Sequence, residues 1–427
     1  MSDLQTNLQA DLQGDLRAQA VGLFEDIRAL TFDGVGVTRE SYGAGVTATV
    51  KHLVDFCAAN GVETSFDGAA NLVFGLADCG DAPALWSGSH LDSLPQSGNY
   101  DGLAGVVAGL LCLVRLKREG LKLARPFKVI GFVGEESVWF GKGYTGSSAL
   151  WGKLKPEDLA LPIRDASRTL EQCLRDAGAD MARITAGQPV VDRRDFAGYI
   201  ELHIEQGPVM VQKGWPTAVV SGIRGSRRHP KVLCVGKAGH SGAVPREFRR
   251  DTVFAVADLI MRLDRHWGEL LAKGRDLVVT CGVLGTDPAD HSPTRIPGET
   301  MFSFDVRSQN VADMEEFYAI LHAECAEVGR QRGVEFRFDR RMEMAPAVMD
   351  AGYRRVLLEL SGELGLPRQS IPSGSGHDAV MFAAMGVPCA MIFIRNDKGS
   401  HNPHEAMDTD DFMSGVRLMY ESLSRLP

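Results

Sequence analysis

The chain of 427 residues is 44% hydrophobic and 24% charged, a balance typical of a globular protein with a sizeable core. Its formal net charge of −9 argues against a surface that binds nucleic acid or an anionic membrane. The sequence has no apolar run of about 18 residues, so we expect no membrane-spanning helix.

The N-terminus and the cysteines predict a cytoplasmic protein. The first residues, 1–5, are polar and acidic and lack the basic and apolar segments of a signal peptide. The eight cysteines are scattered and form no Cys-x-x-Cys pair. This spacing favours reduced thiols over a disulfide framework or a thiolate zinc site.

Apolar periodicity predicts the elements of the first 221 residues. The patterns indicate helices over 3–30, 45–59 and 102–116, strands over 71–76, 83–87 and 127–133, and a strand from 197 that stops at Gly207-Pro208. The segment 151–196 is polar, and we expect loops and short helices there.

The pattern of apolar and polar residues changes near Gly222. The patterns indicate strands over 232–235, 277–284, 300–306 and 335–338, with helices over 249–271 and 310–332. Because this β-α-β-β-α-β order is ferredoxin-like, we predict an inserted α+β domain over 222–339. The segments 1–221 and 340–427 then form one α/β catalytic domain, with a mixed central sheet flanked by helices.

The glycine- and serine-rich stretch 88–105 is the most unusual part of the sequence. His90 ends a predicted strand, and Asp101 directly precedes a predicted helix. Open α/β sheets carry their sites at the carboxyl ends of strands. We therefore expect this loop to hold a functional site, and its residue types suit a metal ion.

Further polar residues stand at other predicted strand ends. Glu135 and Glu136 follow the strand over 127–133, His203 lies on a polar strand face, and His401 follows the last predicted strand. Adjacent carboxylates raise at least one pKa unless a cation relieves them. A solvated loop is the simpler interpretation of Glu135-Glu136 taken alone.

Taken together, five candidates suit one or two zinc-like ions: His90, Asp101, Glu136, His203 and His401. Glu135, beside one of these residues, is then placed to act as a general base. Asp92 follows His90 by two residues and is predicted to accept the second N–H of that imidazole.

Several ordered motifs resemble the M20 metallopeptidase and amidohydrolase superfamily: His90-x-Asp92, Gly98-x-x-Asp101-Gly102 and Glu135-Glu136. Others look like its branch of N-carbamoyl-L-amino-acid hydrolases, β-ureidopropionases and allantoate amidohydrolases: 202–208, 376–379 and 400–405. The resemblance runs from about residue 20 to the C-terminus.

The resemblance implies two divalent ions per subunit, with zinc expected first and manganese, cobalt or nickel as alternatives. It implies that His90 and His203 hold one ion, that Glu136 and His401 hold the other, and that Asp101 bridges them. It also implies that 222–339 is a lid that dimerises, so the expected partners are a small carboxylate-bearing substrate and a second copy of the chain.

The resemblance extends to the reacting groups. The implied catalytic residues are Glu135, Asp92 and His240, and the predicted substrate contacts are Gln206, His240, Thr294, Arg307 and His377. Arg307 has the guanidinium suited to a substrate carboxylate. His377 is also predicted as a structural support of the active-site loop. Thr294 stands where the family usually has Asn, and 137–139 and 243–246 also depart from the pattern, which predicts an altered substrate pocket.

The implied reaction is hydrolysis of an N-carbamoyl-L-amino acid to the amino acid, ammonia and carbon dioxide. Alternatives are an allantoate or N-carbamoyl-β-alanine amidohydrolase, a hydrolase of another N-acyl amino-acid derivative, and an M20 dipeptidase. His203 speaks against the dipeptidase, since those enzymes generally carry a carboxylate there.

Two other classes stay open at this point. A serine hydrolase would need Ser241 at a strand-to-helix turn, and the nearby Pro245 argues against it. A catalytically inactive binding protein is expected to have lost a ligand or the base, whereas the sequence retains all six residues.

Overall fold

The computed structural model of the chain describes residues 3–77, 80 and 82–426. The chain divides into two compact units. The first unit contains the residues up to Ser221 and those from Val348 onward, and the second contains Gly222–Ala347.

The structure contains the five long helices that the sequence predicts over 3–30, 45–59, 102–116, 249–271 and 310–332, close to those positions, together with further helices. In chain order they are α1 (Asp3–Thr31), α2 (Ala44–Asn60), α3 (Leu103–Glu119), α4 (Thr145–Leu150), α5 (Pro156–Leu159), α6 (Leu170–Asp176), α7 (Met181–Thr185), α8 (Val209–Lys213), α9 (Thr252–Ala272), α10 (Val311–Arg332), α11 (Ala351–Glu363), α12 (Ala379–Ala384) and α13 (Thr409–Ser422).

The strands include several short ones that the sequence pattern did not predict. In chain order they are β1 (Glu63–Phe66), β2 (Leu72–Gly75), β3 (Ala84–His90), β4 (Phe127–Phe132), β5 (Phe196–Ile204), β6 (Thr217–Ile223), β7 (Gly225–Val235), β8 (Gly239–His240), β9 (Val278–Thr280), β10 (Leu284–Gly285), β11 (Arg295–Ile296), β12 (Glu299–Ser308), β13 (Glu335–Phe338), β14 (Met342–Met344), β15 (Ala347–Val348), β16 (Ser370–Ser373), β17 (Cys389–Ile394), β18 (Asn396–Asp397) and β19 (Ala406–Met407).

The first unit is built on a mixed sheet. Its strand order is β1-β2-β4-β3-β5-β17-β6-β15, with β16 paired to β6. The four central strands β4, β3, β5 and β17 run parallel, whereas β2 joins β4 and β6 joins β17 in antiparallel fashion. The predicted mixed central sheet is therefore confirmed, and β6, which the sequence pattern missed, forms part of its antiparallel side.

Helices cover both faces of this sheet. Every residue of β3 and of β17 is buried, as expected for central parallel strands that read as apolar runs. On one face, Leu202 and Ile392 join the core formed with α1, α2, α3, α11 and α13. On the other face, the ring of Phe382 in α12 stacks on Tyr199 with centroids 4.0 Å apart.

The second unit contains an antiparallel sheet in the order β10-β12-β7-β13, with β9 also paired to β12 and β14 to β7. Along β12 the side chains alternate between the core and the outside, and the buried ones pack with residues of α9 and α10. The strand predicted over 277–284 is broken into β9 and β10. At the break, the N–H of Val283 donates to Ser303 Oγ (2.9 Å) instead of a ladder carbonyl.

The predicted boundary at residue 339 is too early. The strand β14, at Met342–Met344, pairs with β7, so the second unit continues to Ala347. No sequence pattern predicts this strand, because β14 is only three residues long and mostly exposed.

Seven of the eight cysteines are free thiols, and Cys79 lies outside the described residues. Among the helices of the described ranges, none has the length and apolar character needed to cross a membrane.

Two glycines of α3 let this helix approach the sheet closely. A Cβ added at Gly105 would lie 2.3 Å from the carbonyl oxygen of Leu202, and one at Gly109 would lie 2.7 Å from Val129 Cγ1. The two glycines are four residues apart and share one helix face.

We predict that Gly105→Ala destabilises the protein by about 1–3 kcal/mol, because the methyl group overpacks a backbone contact. The measurement is the free energy of unfolding from urea titration. Gly22→Ala is the matched control, since nothing lies within 4 Å of a Cβ added there in α1. We expect the control to be neutral or stabilising, as Ala is the better helix former. A Gly105→Ala protein as stable as the parent would contradict this account of the packing.

Candidate metal centre

The carboxyl ends of the four parallel strands meet at one edge of the first unit's sheet. His90 is the last residue of β3, and it is level with Phe132, the last residue of β4. The chain then leads directly into Glu135 and Glu136. His203 lies one residue before the end of β5, level with residue 393 of β17. This strand alignment brings residues from distant parts of the sequence to one place.

Asp101 lies at the centre of the cluster. Its Oδ1 is 3.2 Å from Nε2 of His203 and 3.6 Å from Nε2 of His90. Its Oδ2 is 3.3 Å from Nε2 of His401, which is also 3.6 Å from Oε1 of Glu136. Two groups of metal-ligand type, His90–Asp101–His203 and Asp101–Glu136–His401, therefore share one carboxylate.

The backbone orients two of the imidazoles toward Asp101. Nδ1 of His90 lies 2.9 Å from the carbonyl oxygen of Asp92, and Nδ1 of His203 lies 2.9 Å from that of Ile204. A carbonyl oxygen can only accept, so each Nδ1 carries the proton in the neutral ring and each Nε2 presents a lone pair. Histidine ligands of metals commonly have this support.

The cluster fits a divalent ion. Asp101 Oδ1 and His203 Nε2 are buried, and neither has a hydrogen-bond partner among the described residues. Such atoms are costly to bury without compensation. Imidazole nitrogens with carboxylate oxygens form a donor set that suits zinc and similar ions. The residues present therefore fit one ion in each of the two groups.

The charges in the cluster perturb one another strongly. Burial by itself lowers the pKa of His90, but the nearby carboxylates of Asp101 and Glu135 outweigh this and hold that pKa well above its usual value. Burial raises the pKa of Glu136 to about 7, and Asp101 adds to this effect. A buried arrangement of this kind needs opposite charge, which a bound cation supplies.

Glu135 lies beside the first ligand group. Its Oε2 is 3.9 Å from Nε2 of His90, and the side chain is almost fully enclosed. Burial raises the pKa of Glu135 well above the ordinary value; His90 opposes the rise, whereas Glu136 and Asp378 add to it. Glu135 is thus a basic carboxylate that touches the cluster.

The structure gives Asp92 a different contact from the one predicted. The group near Nδ1 of His90 is the backbone oxygen of Asp92, whereas its carboxylate oxygen is 3.8 Å away. The carboxylate instead accepts the N–H groups of Gly134 (3.0 Å), Glu135 (3.2 Å) and Glu136 (3.1 Å) and the hydroxyl of Ser41 (2.8 Å). Asp92 therefore fixes the backbone that carries both glutamates.

Other residues around Asp101 also have specialised conformations. Gln206 donates from Nε2 to Asp101 Oδ2 at 2.9 Å. Gln206 and His401 both have left-handed backbone, with φ of 63° and 61°. Non-glycine residues adopt this conformation at a cost, and such residues cluster at functional sites. Gly102 has φ of 69°, and a Cβ there would lie 2.4 Å from His90 Nδ1, so no larger residue fits.

His377 is buried behind His203. Its Nε2 is 2.8 Å from Ser373 Oγ, and its ring meets that of His203 with centroids 4.3 Å apart. Burial, reinforced by His203, holds the pKa of His377 well below its usual value. Glu201 completes this layer, since its two oxygens accept from Ser89 Oγ (2.7 Å) and from a backbone N–H (2.9 Å). These contacts agree with a structural role of His377, as the sequence analysis predicts. Its contact with substrate stays a prediction.

Three predicted substrate contacts belong to the second unit. His240 is exposed on β8, and its Nδ1 accepts the N–H of Gly242 (3.1 Å), which leaves Nε2 as the protonated nitrogen of the neutral ring. Thr294 directly precedes β11, which pairs with β8, and its carbonyl oxygen accepts the N–H of Ser241 (2.8 Å). His240 and Thr294 are therefore close neighbours.

Arg307 lies on β12, where its Nε donates to Asp305 Oδ2 at 2.9 Å. Ser241 follows the two-residue strand β8 and begins a turn rather than a helix. It therefore lacks the strand-to-helix elbow of a serine hydrolase.

Sequence reasoning missed two residues that touch the loop of His90 and Asp101. Arg39 is fully buried and donates to several backbone oxygens of this loop. Glu405 belongs to the 400–405 motif, but no role is predicted for it from the sequence. Its Oε1 accepts the backbone N–H of Tyr100 at 2.8 Å.

Most of the chain is similar in sequence to known proteins. The sequence profile of peptidase family M20/M25/M40 matches residues 86–425. An N-carbamoyl-L-amino acid amidohydrolase of Geobacillus stearothermophilus is 31% identical over 396 residues, which cover 92% of this chain and 93% of the relative. An allantoate amidohydrolase of Escherichia coli (strain K12) gives the same 31% identity, 396 residues and coverages of 92% and 93%.

A solved structure shows the same fold. The crystal structure of a hydantoinase/carbamoylase family amidase from Burkholderia ambifaria has a TM-score of 0.85 and 27% identity, over 97% of this chain and 98% of that one. The profile match, the two relatives and this likeness agree with the resemblance seen in the motifs. The chain belongs to peptidase family M20/M25/M40.

Proposed function

We propose that this protein is a metal-dependent amidohydrolase that cleaves the C–N bond of a linear ureido or amide group in a small carboxylate-bearing substrate. The first candidate substrate is an N-carbamoyl-L-amino acid, which would yield the amino acid, ammonia and carbon dioxide. One relative named for N-carbamoyl-L-amino acids and one named for allantoate are equally similar to this chain, at 31% identity. Allantoate is therefore the second candidate.

The observation that carries the proposal is the shared carboxylate of Asp101 with Glu135 beside it. Three imidazoles and Glu136 surround Asp101, and Glu135 Oε2 lies 3.9 Å from His90 Nε2. We assign His90 and His203 to one ion, Glu136 and His401 to the other, and Asp101 to both. When bound, a pair of divalent ions would polarise the scissile carbonyl and lower the pKa of the attacking water.

The protein's own groups would move the proton. Glu135 takes the proton of the attacking water and then delivers it to the leaving nitrogen, so it ends the cycle in its starting state. A carboxyl group whose pKa is raised by burial is suited to both steps. Asp92 would hold Glu135 in place through the backbone N–H groups of 134–136.

The second unit would supply groups that recognise the substrate. His240 is proposed to donate from Nε2 to the developing oxyanion, since its Nδ1 already accepts a backbone N–H. Arg307 is proposed to bind the substrate carboxylate. Asp305 would restrict the conformations of Arg307, because it accepts from Nε of that guanidinium. Thr294, beside the turn after His240, is the candidate for substrate selection.

The identity of the ions and the homodimer implied by the resemblance stay predictions. Zinc, manganese, cobalt and nickel all accept this donor set, and cellular supply as well as affinity decides among them.

We predict that Glu135→Gln lowers kcat by about 10²- to 10⁴-fold, the usual contribution of a positioned general base. The bound metal should remain at the parent level, because Glu135 is not among the proposed ligands. Ammonia release and elemental analysis measure the two quantities. Glu359→Gln, the same change at an exposed position of α11, is the control and should leave both unchanged. Parent-level turnover in Glu135→Gln would remove Glu135 from this role, and loss of metal would make it a ligand.

We predict that removal of metal by a chelator abolishes activity and that manganese or zinc restores it. The assay measures product release from both enantiomers of N-carbamoyl-α-amino acids, N-carbamoyl-β-alanine, allantoate, N-acetyl amino acids and dipeptides. Metal-dependent release from an N-carbamoyl-L-amino acid is the expected result. Full activity without detectable metal would contradict the metal mechanism. If no compound releases product although two ions are bound per chain, this substrate class would be rejected, whereas the proposed metal centre would stand.

We predict that Asp92→Asn weakens both metal retention and turnover by about 10-fold or more, because a support of the ligand loop is lost. The amide nitrogen would face backbone N–H groups that need an acceptor. Competition with a chromophoric chelator measures the metal affinity. Ser41→Ala removes only one of the four donors to Asp92 and should have a smaller effect. An Asp92→Asn protein with unchanged metal affinity would show that this support is dispensable.

A further inference from the structure

The peptide unit at Asp101 is held from two opposite directions by charged side chains. Arg39 donates from Nη2 to the carbonyl oxygen of Asp101 at 3.2 Å. Glu405 Oε1 lies 3.3 Å from the backbone nitrogen of Asp101 and accepts its N–H. Both backbone hydrogen-bonding groups of Asp101, its carbonyl oxygen and its N–H, are therefore bound by charged side chains.

Arg39 also sets the shape of the whole loop. The side chain is fully buried, and its Nε donates to the carbonyl oxygen of Leu91 at 2.8 Å. Its Nη1 is 3.3 Å from Oδ1 of Asn99. One rigid guanidinium therefore ties the residue after His90 to Asp101 across the loop. The planar fork of donors in arginine suits this task, whereas the single ammonium of lysine cannot reach all of these oxygens.

The buried charge of Arg39 is compensated by nearby carboxylates. Burial lowers the pKa of Arg39, and four carboxylates oppose this effect: Glu405, Asp101, Asp92 and Glu136. Burying an unpaired guanidinium would be costly. The negative charge of these four carboxylates offsets part of that cost.

Glu405 links the loop of Asp101 to the loop of His401. Its Oε1 accepts the N–H of Tyr100 at 2.8 Å, and its Oε2 is 2.7 Å from Ser400 Oγ. Ser400 Oγ is also 2.6 Å from Oδ2 of Asp101. A Cβ at Gly98 would lie 2.3 Å from the carboxyl group of Glu405, so the loop accepts this carboxylate only because residue 98 lacks a side chain.

We propose that Arg39 and Glu405 are positioning residues that clamp Asp101, so that its two oxygens serve both metal positions at once. The proposal rests on the metal centre proposed above. Neither residue needs to touch an ion or the substrate. Because Asp101 belongs to both ligand groups, loss of the clamp weakens both binding steps together.

The test uses Co²⁺ as the probe, added to the metal-free full chain. We expect Arg39→Lys and Glu405→Gln each to weaken Co²⁺ binding by about 10- to 100-fold in calorimetric titration, the effect typical of lost ligand support. The visible spectrum of bound Co²⁺ should also change in band position, since it reports the ligand geometry. A merely structural role would move neither quantity in a folded protein.

Arg193→Lys is the matched control. Arg193 also donates to backbone carbonyl oxygens, those of Phe196 (2.8 Å), Met385 (3.2 Å) and Gly386, but it lies just before the start of β5, away from the strand ends that carry the cluster. This variant should keep the parent's Co²⁺ affinity and spectrum, even if it unfolds at a lower temperature. If Arg39→Lys fails to fold, Glu405→Gln alone decides, because it preserves the size of the side chain.

Parent-level Co²⁺ affinity and spectrum in the folded variants would overturn the proposal. The readout is independent of the substrate. If the parent binds Co²⁺ but hydrolyses nothing in the substrate panel, the proposed reaction fails while the clamp can still be judged. If the parent itself binds no Co²⁺, the metal centre and the clamp fail together.

Discussion

The carboxylate of Asp101 is the constraint on which the rest of this site depends. It is completely buried, yet it faces three imidazoles within 3.6 Å. A single carboxylate with two oxygens can serve two neighbouring ligand groups only if its orientation is fixed. Three features of the protein fix the side chains around Asp101. Backbone oxygens accept from Nδ1 of His90 and of His203, and the carboxylate of Asp92 holds the backbone of Glu135 and Glu136. The left-handed φ values of Gln206 and His401 set the directions of the other two side chains.

Much of this arrangement follows from sequence patterns. The apolar runs that became β3, β4 and β17 are clear, and polar candidates stand at the strand ends or in the loops that follow. Parallel strands place such ends on one edge, so the grouping of His90, Glu136 and His401 is predictable. The helices α9 and α10 lie close to their predicted positions, since amphipathic periodicity is a strong signal over several turns.

The rest could not be read from the sequence, for physical reasons. The sequence cannot distinguish the carboxylate of Asp92 from its backbone oxygen as the partner of His90, because both lie in the same residue. Most partners of the Arg39 side chain are backbone oxygens more than fifty positions away, and a backbone acceptor leaves no trace in residue type. Short strands such as β14 carry too few side chains for a periodic pattern, which explains the misplaced boundary at 339.

The proposed ligands come from separate strand ends and loops that meet only when the central sheet has formed. An unfolded chain cannot offer the same cluster, so an ion that binds it would favour the folded state by RT ln(1 + [L]/Kd), or about 2.7 kcal/mol at a hundredfold excess over Kd. The melting temperature of the protein would then follow the free concentration of the metal in its surroundings. A cell that runs short of the ion would lose folded protein as well as activity, so the supply of metal would also set the abundance of the enzyme.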